Sequence, residues 1–414
     1  MISLTLAEIR ALELGQLDAT ADVATGVQID SRRIAAGDLF VALGAGAGFL
    51  DDARSRGAAA TLVPDDEFAA MAALGLAVRE RSDARVIAIT GSTGKTSTKD
   101  ILAALCRPVT RTVAAEEGYN NELGLPLTLM RLESDTEVLI CEMGMRGLGQ
   151  IAALCEIARP DVGVITNIGP VHLELLGTIE RVAQAKAELL HALPPGGLAV
   201  IPENAPELEP HVPDGLDVRR FAAPQVEVRD GTAFVEFDGR EIPFTFTARH
   251  QAANAVAALT VLDALGLPLP EGPVDVPFSR WRGEESQLPG GGLLINDAYN
   301  ANPASMRAAL EHLVERAAGR RTVAVLGEMA ELGVDAPRFH DELGAFARDL
   351  GVDVVVGVGE LGRRYRPDEW APDASAAGDV ARAVVVAGDT VLVKASRAVG
   401  LEVVADALTA AVAP

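Results

Sequence analysis

The segment Ile87-Ala88-Ile89-Thr90-Gly91-Ser92-Thr93-Gly94-Lys95-Thr96-Ser97 leaves the chain little choice of fold. Its apolar, β-branched run at 86–89 reads as a buried strand, and the strand breaks at glycines that let the backbone turn tightly against a ligand. A helix follows at once, with Ile101, Leu102 and Leu105 on one face and Arg107-Pro108 at its end. Strand, glycine turn and helix N-terminus together make a phosphate cradle, because free backbone N–H groups and the positive helix end point at the anion. Lys95 is placed to reach terminal phosphates and the Thr96 hydroxyl to hold Mg²⁺. The motif is shorter than Gly-x4-Gly-Lys-Thr, whose first glycine would fall at Ile89; what stands here is Gly91-x-x-Gly94-Lys95-Thr96. Nucleotide binding is the expectation for Gly91, Ser92, Thr93, Gly94, Lys95, Thr96 and Ser97; the alternative is a glycine turn opening an ordinary helix.

A chain of 414 residues holds roughly two to four domains. Apolar content of 49% with 23% charged residues describes a globular protein. A net charge of −23 argues against nucleic acid as partner, since phosphate backbones want clustered Lys and Arg. An anionic substrate would need local cationic pockets and metal ions inside so acidic a protein. No charge-free apolar run approaches the ~20 residues that span a bilayer, and no basic stretch precedes an apolar leader, so a cytoplasmic chain without a membrane span is expected. Cys106, Cys141 and Cys155 are odd in number and form no Cys-x-x-Cys, which reads as core thiols.

Residues 1–82 alternate short helical and extended patterns, the mark of a small α/β unit. Asp30-Ser31-Arg32 sits at a strand end, where a hydroxyl and a guanidinium fork suit a uracil ring or a phosphate; a surface turn with a capping serine is the alternative. From 83 to 280 strands and helices alternate as in a parallel sheet flanked by helices. The apolar strand at 138–141 delivers Glu142 to the sheet edge that carries the phosphate loop, where a carboxylate suits Mg²⁺, or else forms an ordinary salt bridge. A third strand at 162–166 leads to Asn167 and His172. Thr178 can cap the next helix, whose apolar stripe Ile179, Val182, Leu189 and Leu190 includes Lys186. A lysine there either loses hydration and becomes a neutral, nucleophilic amine or snorkels over apolar surface. Asp230-Gly231 and Asp238-Gly239 separate alternating runs that read as a β-meander, and a helix starting near His250 carries Asn254. The remainder, 281–414, has a Rossmann-like strand and helix order without Gly-x-Gly-x-x-Gly. Asp297, Asn300, Asn302 and Ser305 crowd one of its loops, as a binding loop or as Asx turns, and Lys394-Ala395-Ser396-Arg397 follows another strand in the same way.

Several of these segments, with Asn120-Asn121-Glu122-Leu123-Gly124-Leu125-Pro126, Cys141-Glu142-Met143-Gly144, Thr166-Asn167-Ile168-Gly169, Ala185-Lys186 and Asp297-Ala298-Tyr299-Asn300-Ala301-Asn302-Pro303, together resemble the Mur ligases in order along essentially the whole chain. Within that family the likeness is to the member that adds D-alanyl-D-alanine to UDP-N-acetylmuramoyl-tripeptide. The resemblance implies an α/β protein of three domains: a UDP-substrate domain at 1–82, a central parallel-sheet ATPase with a small antiparallel sheet at 83–280, and a Rossmann-like domain at 281–414. It implies an ATP-dependent amide ligase of peptidoglycan synthesis, working through an acyl phosphate with ATP and two Mg²⁺ ions; a monomer is the expectation, though the sequence does not say how many chains assemble. Lys95 and Thr96 would serve the phosphates and one Mg²⁺, Glu142 would be a metal ligand, and His172 would hold the second Mg²⁺. Lys186 matches a lysine that is carbamylated in relatives. Asn254 would touch adenine, and Arg282 and Asp297 would contact nucleotide across the domain gap. Ser31 and Arg32 match the uridine side, and Asn120, Asn121, Asn302, Ser305, Ser396 and Arg397 the substrate side.

The segment Gly44-Ala45-Gly46-Ala47-Gly48-Phe49 lacks the Asp-Gly-His usual near the UDP site. The nearest alternative is a sister ligase that adds a single amino acid, of the MurE or folylpolyglutamate synthase kind. MurE-like chains carry Asp-x-Pro-Arg, and Asn300-Ala301-Asn302-Pro303 has no arginine there. A non-catalytic nucleotide-binding relative is the other alternative, against which Lys95, Glu142, His172 and Lys186 all argue.

Overall fold

The structure, a computed structural model, describes residues 1–410. Its centre is a six-stranded sheet in the order Asp217–Phe221, Leu198–Pro202, Val162–Ile165, Arg85–Thr90, Val138–Glu142, Thr112–Ala114, parallel throughout. Both faces of such a sheet are covered, so its strands read as unbroken apolar runs, and the period of two sorts their side chains. Val86, Ala88, Leu139 and Cys141 point to one face, while Ile87, Ile89, Val138 and Ile140 point to the other.

On the first face the core runs without a break into residues from the N-terminal part, including Leu39, Leu62, Met71 and Leu74. That part is a four-stranded sheet in the order Gly15–Ala19, Ala60–Pro64, Asp38–Val41, Gly26–Gln28, with the first pair antiparallel. The helix Glu67–Arg79 follows, and it packs on Gly124–Leu129 and Gln150–Ala158. Close approach there depends on Gly75, where an added Cβ would lie 3.0 Å from Pro126 Cα. The opposite face is covered by the helices Lys95–Cys106 and Gln251–Ala264, roofed by the meander Val226–Arg229, Thr232–Phe237, Arg240–Phe244. The meander's two turns are as the Asp-Gly pairs require, with Asp230 and Asp238 at φ 49° and Gly231 and Gly239 at 77° and 70°.

The C-terminal sheet runs Glu284–Gln287, Leu293–Asp297, Thr390–Lys394, Thr322–Leu326, Val354–Val358, Glu369–Ala371, parallel apart from its first strand. Two sequence readings need correction. The helix Lys95–Cys106 is buried beyond its apolar stripe, Thr96, Ser97, Thr98, Lys99 and Asp100 included, because the helix Gln251–Ala264 and residues beyond the meander enclose it. At 30–33 the helical cap is Asp30 and not Ser31: the Asp30 carboxylate accepts the Arg32 N–H at 3.0 Å.

Candidate active site

In the central sheet the strand Arg85–Thr90 lies between Val138–Glu142 and Val162–Ile165, so the chain passes from one side of it to the other. Such a switch leaves a crevice beyond the C-terminal strand ends. The loop 91–94 fills the floor of that crevice. Gly91 has φ +150° and an added Cβ there would lie 1.8 Å from Thr166 Oγ1; Gly94 has φ +76° and a Cβ would lie 2.3 Å from Asn254 Oδ1. The glycines therefore make room for two protein side chains, where the sequence reading had them make room for a ligand. Asn167 holds the loop's first half, its carbonyl accepting Ser92 N–H at 3.1 Å and its Oδ1 accepting Thr93 N–H at 2.8 Å. The second half is left open: the helix starting at Lys95 has no side-chain cap, and its first N–H groups face the crevice as a helix N-terminus must when nothing satisfies it.

Four charged groups surround this N-terminus. Glu142 Oε2 accepts the Thr96 hydroxyl at 2.7 Å and Oε1 accepts Asn120 Nδ2 at 2.9 Å. Burial pushes the Glu142 carboxyl up, but Lys95, Arg282 and the bonds from Asn120 and Thr96 together hold it below the usual carboxylate value. Lys95 Nζ donates to the Gly91 carbonyl at 2.8 Å, and burial, joined by the Arg282 charge, lowers its affinity for a proton despite Glu142. Lys186 is 1% exposed, so it does not snorkel. Burial pushes its amine well below the ordinary 10.5, and the like charge of Lys95 pushes the same way. The Arg282 guanidinium stacks on Tyr299 at 3.9 Å, with its buried Nε unpartnered. Cations thus converge on a place where a polyanion would satisfy them. Thr96 and Glu142 offer the hard oxygens that Mg²⁺ takes beside phosphate and water. Among the described residues no group of three or more His, Cys, Asp or Glu side chains is placed to hold a metal ion.

Two adjoining clefts meet here. One, of about 480 Å³, contains residues 92–97 with Glu142, Asn254, Arg282, Asp297 and Ser305. The other, of about 580 Å³, contains Asn121, His172, Lys186, Glu331, Ser396 and Arg397. Ser92, Lys95, Asn120 and Asn302 belong to both. Ser31 and Arg32 line neither: Arg32 folds back onto Asp30 at 2.7 Å and the Ser31 hydroxyl serves Asp52. Several cleft residues also carry structure. Asn302 and Ser305 form a reciprocal capping box on the helix Pro303–Ala317, so the Asx alternative describes them. Asn121 Oδ1 accepts Gly124 N–H at 2.9 Å, and Asn254 bonds Thr98 and Gln251. Ser396 Oγ ties Ala330 N–H to Ala301 carbonyl, while Arg397 pairs with Glu402 at 2.7 Å and stacks on Trp281.

Sequence reasoning marked Lys394 only as part of the polar cluster 394–397, without a role of its own, and missed Tyr299 and Glu331 as cleft residues. Lys394, 2% exposed, bonds Asp297 Oδ2 at 2.5 Å and Asn300 carbonyl at 2.9 Å. A lysine ending an apolar strand was the available signal for it. Glu331 pairs through Oε2 with His172 Nδ1 and through Oε1 with Arg146 at 3.1 Å, and those partners lie far away in sequence. The three cysteines are free and buried, and burial raises each thiol to about 12.

The family model for the Mur ligase middle domain matches residues 89–262, and that for the Mur ligase glutamate ligase domain matches 281–397. The chain is 37% identical to the UDP-N-acetylmuramoyl-tripeptide--D-alanyl-D-alanine ligase of Mycobacterium tuberculosis over 507 aligned positions, which cover 99% of this chain and 98% of that one. A crystal structure of MurF from Acinetobacter baumannii superposes with a TM-score of 0.85 at 25% identity, covering 98% of this chain and 99% of the other. The MurF ligase of Thermotoga maritima in complex with ADP gives 0.81 at 27% identity, covering 93% and 97%.

Proposed function

The chain belongs to the Mur ligase family, and from that membership we infer that it joins D-alanyl-D-alanine to UDP-N-acetylmuramoyl-tripeptide at the expense of ATP, in peptidoglycan synthesis. The observation that carries this reading is the convergence of Lys95, Lys186 and Arg282 on an uncapped helix N-terminus beside the bonded pair Thr96 and Glu142. A carboxylate resists attack by an amine. In the inferred reaction the γ-phosphoryl group of ATP passes to the terminal carboxylate of the tripeptide, giving an acyl phosphate. The dipeptide's amine then displaces phosphate as the new C–N bond forms.

Phosphoryl transfer depends on positioning and on charge neutralisation, and the residues divide that work. The N–H groups at the helix start and Lys95 would hold the phosphates, and Arg282 would close over them from the C-terminal side. Thr96 and Glu142 would hold one Mg²⁺, and His172 and Lys186 a second; bound there, Mg²⁺ supplies positive charge beside the transferring group. Lys186 carries this further: burial shifts its amine towards the neutral form, which is the form that takes up CO₂, and a carbamate would turn it into an anionic oxygen ligand. Asp297 with Lys394, and Asn254, frame the rest of the nucleotide cleft. The larger cleft, with Asn120, Asn121, Ser396, Arg397 and Asn302, is assigned to the peptide substrates. Ser31 and Arg32 are assigned to the uridine side, with Arg32 leaving Asp30 on binding. Domains at 1–82, 83–280 and 281–414, a monomer, and a cytoplasmic site in keeping with free buried thiols complete the proposal.

The test is phosphate release from ATP with the UDP-tripeptide, comparing D-alanyl-D-alanine with single amino acids. Release only with the dipeptide is expected; equal release with a single amino acid would assign the chain to a sister ligase. Lys95→Ala should abolish turnover, and Lys186→Ala should regain part of it with a short carboxylic acid.

A further inference from the structure

The helix that follows the phosphate loop carries a buried ion pair that the chemistry above does not use. Lys99 and Asp100 are 4% and 9% exposed and 2.9 Å apart. Lys99 Nζ also donates to the Ala115 carbonyl at 3.0 Å, so the lysine is satisfied within the central unit. Asp100 reaches outward instead. Its Oδ2 accepts both the backbone N–H and the hydroxyl of Ser279, each at 2.9 Å. Two charge-assisted bonds to one residue fix its orientation as well as its position.

Ser279 lies in the segment that joins the central part to the C-terminal sheet, and only Arg280 and Trp281 separate it from Arg282. The same segment is held again just beyond, where the Trp281 carbonyl accepts the Tyr299 N–H at 3.2 Å and Trp281 adopts φ 57°. Arg282 therefore stands beside two clamps, one to the loop helix and one to the C-terminal sheet. Its guanidinium lies on Tyr299 with the buried Nε unpartnered, ready for an anion in the nucleotide cleft.

We propose that Asp100 is a positioning residue: by gripping Ser279 it aims Arg282 at the nucleotide phosphates and couples the loop helix to the placement of the C-terminal domain. This rests on the ATP-dependent ligase reading. Losing the buried carboxylate also strands Lys99, so Asp100→Ala carries a stability cost. Ser279→Ala removes only the hydroxyl arm and is the milder variant.

The experiment measures ADP affinity with magnesium by calorimetry, and KM for ATP and for the dipeptide by phosphate release. It uses the full chain, Asp100→Ala, Ser279→Ala, Arg282→Ala and the doubles with Arg282→Ala. Asp100→Ala should weaken ADP binding and raise KM for ATP about tenfold, with KM for the dipeptide within about twofold, and Ser279→Ala should shift the same way about threefold. In the Arg282→Ala background each should add less than about twofold, because the effect runs through Arg282. Unchanged ADP affinity in folded Asp100→Ala, or full additivity with Arg282→Ala, overturns the proposal. If Asp100→Ala does not fold, the Ser279→Ala cycle decides by the same criteria. A full chain with no tripeptide-dependent phosphate release overturns the ligase reading instead, while the calorimetry still tests the tether.

Discussion

Lys186 shows how a residue's chemistry can depend on what surrounds it. In sequence it is one cation on an apolar helical stripe; in the fold it is buried, faces a functional cleft and feels the like charge of Lys95. Its proton affinity is depressed, so the unfolded chain binds that proton more tightly and the buried amine costs stability at neutral pH. The sign follows: the cost is full below the folded value and vanishes as pH rises past the ordinary 10.5. Lys186→Met should therefore unfold at higher urea than the parent at pH 7 in carbonate-free buffer, and the gap should narrow towards pH 10.5. Phosphate release should meanwhile fall by about 100-fold or more. A variant less stable than the parent at pH 7 would show that Lys186 is satisfied where it sits. Gly91 and Gly94 teach a related lesson, for their lack of a Cβ admits Thr166 and Asn254 against the loop.

At the scale of elements, the helix Pro303–Ala317 starts on the Asn302 and Ser305 capping box, with Pro303 at its first position. Asn302→Ala should cost about 1 kcal/mol in chemical unfolding, whatever it does to activity. A second element boundary sets a pH dependence. His250, at the start of the helix Gln251–Ala264, is lowered from 6.5 to about 4, chiefly by burial, with His312 beside it in an edge-on ring contact. The unfolded chain takes up that proton first as pH falls through 6.5, so stability should decline from there towards about 4. The slope within that window is at most about 1.4 kcal/mol per pH unit from this group. Glu285, held low by His312, Arg316 and Thr247 against its burial, loses its contribution only below the usual 4.5. Urea unfolding between pH 7 and 5 therefore reads His250 together with His340, which burial also lowers from 6.5, and His250→Gln should flatten part of the profile there. The helix Ala374–Val384 escaped sequence reading for a physical reason: its buried face is Ala377, Gly378 and Ala381, too small to show as an apolar stripe.

Across the whole molecule, Glu331 joins the C-terminal sheet to the central part through His172 and Arg146, and Glu174 N–H donates to the Glu331 carbonyl at 3.4 Å. His172 and Glu331 both hold left-handed backbone, φ 55° and 62°, at this contact. With the Asp100 to Ser279 clamp on the nucleotide side, the bridge brackets both clefts. Glu331→Ala should loosen the arrangement, seen in small-angle scattering as a larger radius of gyration without nucleotide, with secondary structure by circular dichroism unchanged. An unchanged radius would assign the closure to other contacts.

The α/β class, the strand, loop and helix at 86–106 and the meander could be read from local pattern, because strand alternation and glycine turns are short-range effects, whereas Asn120, Asn121 and Arg282 came into view only through the family resemblance. Partners distant in sequence could not be read from local pattern. That burial depresses the Lys186 amine, that Glu331 meets His172 and that Asp100 grips Ser279 depends on burial and on which distant segments share a surface. Those follow from packing two parallel sheets around a common crevice, which no single stretch of chain encodes.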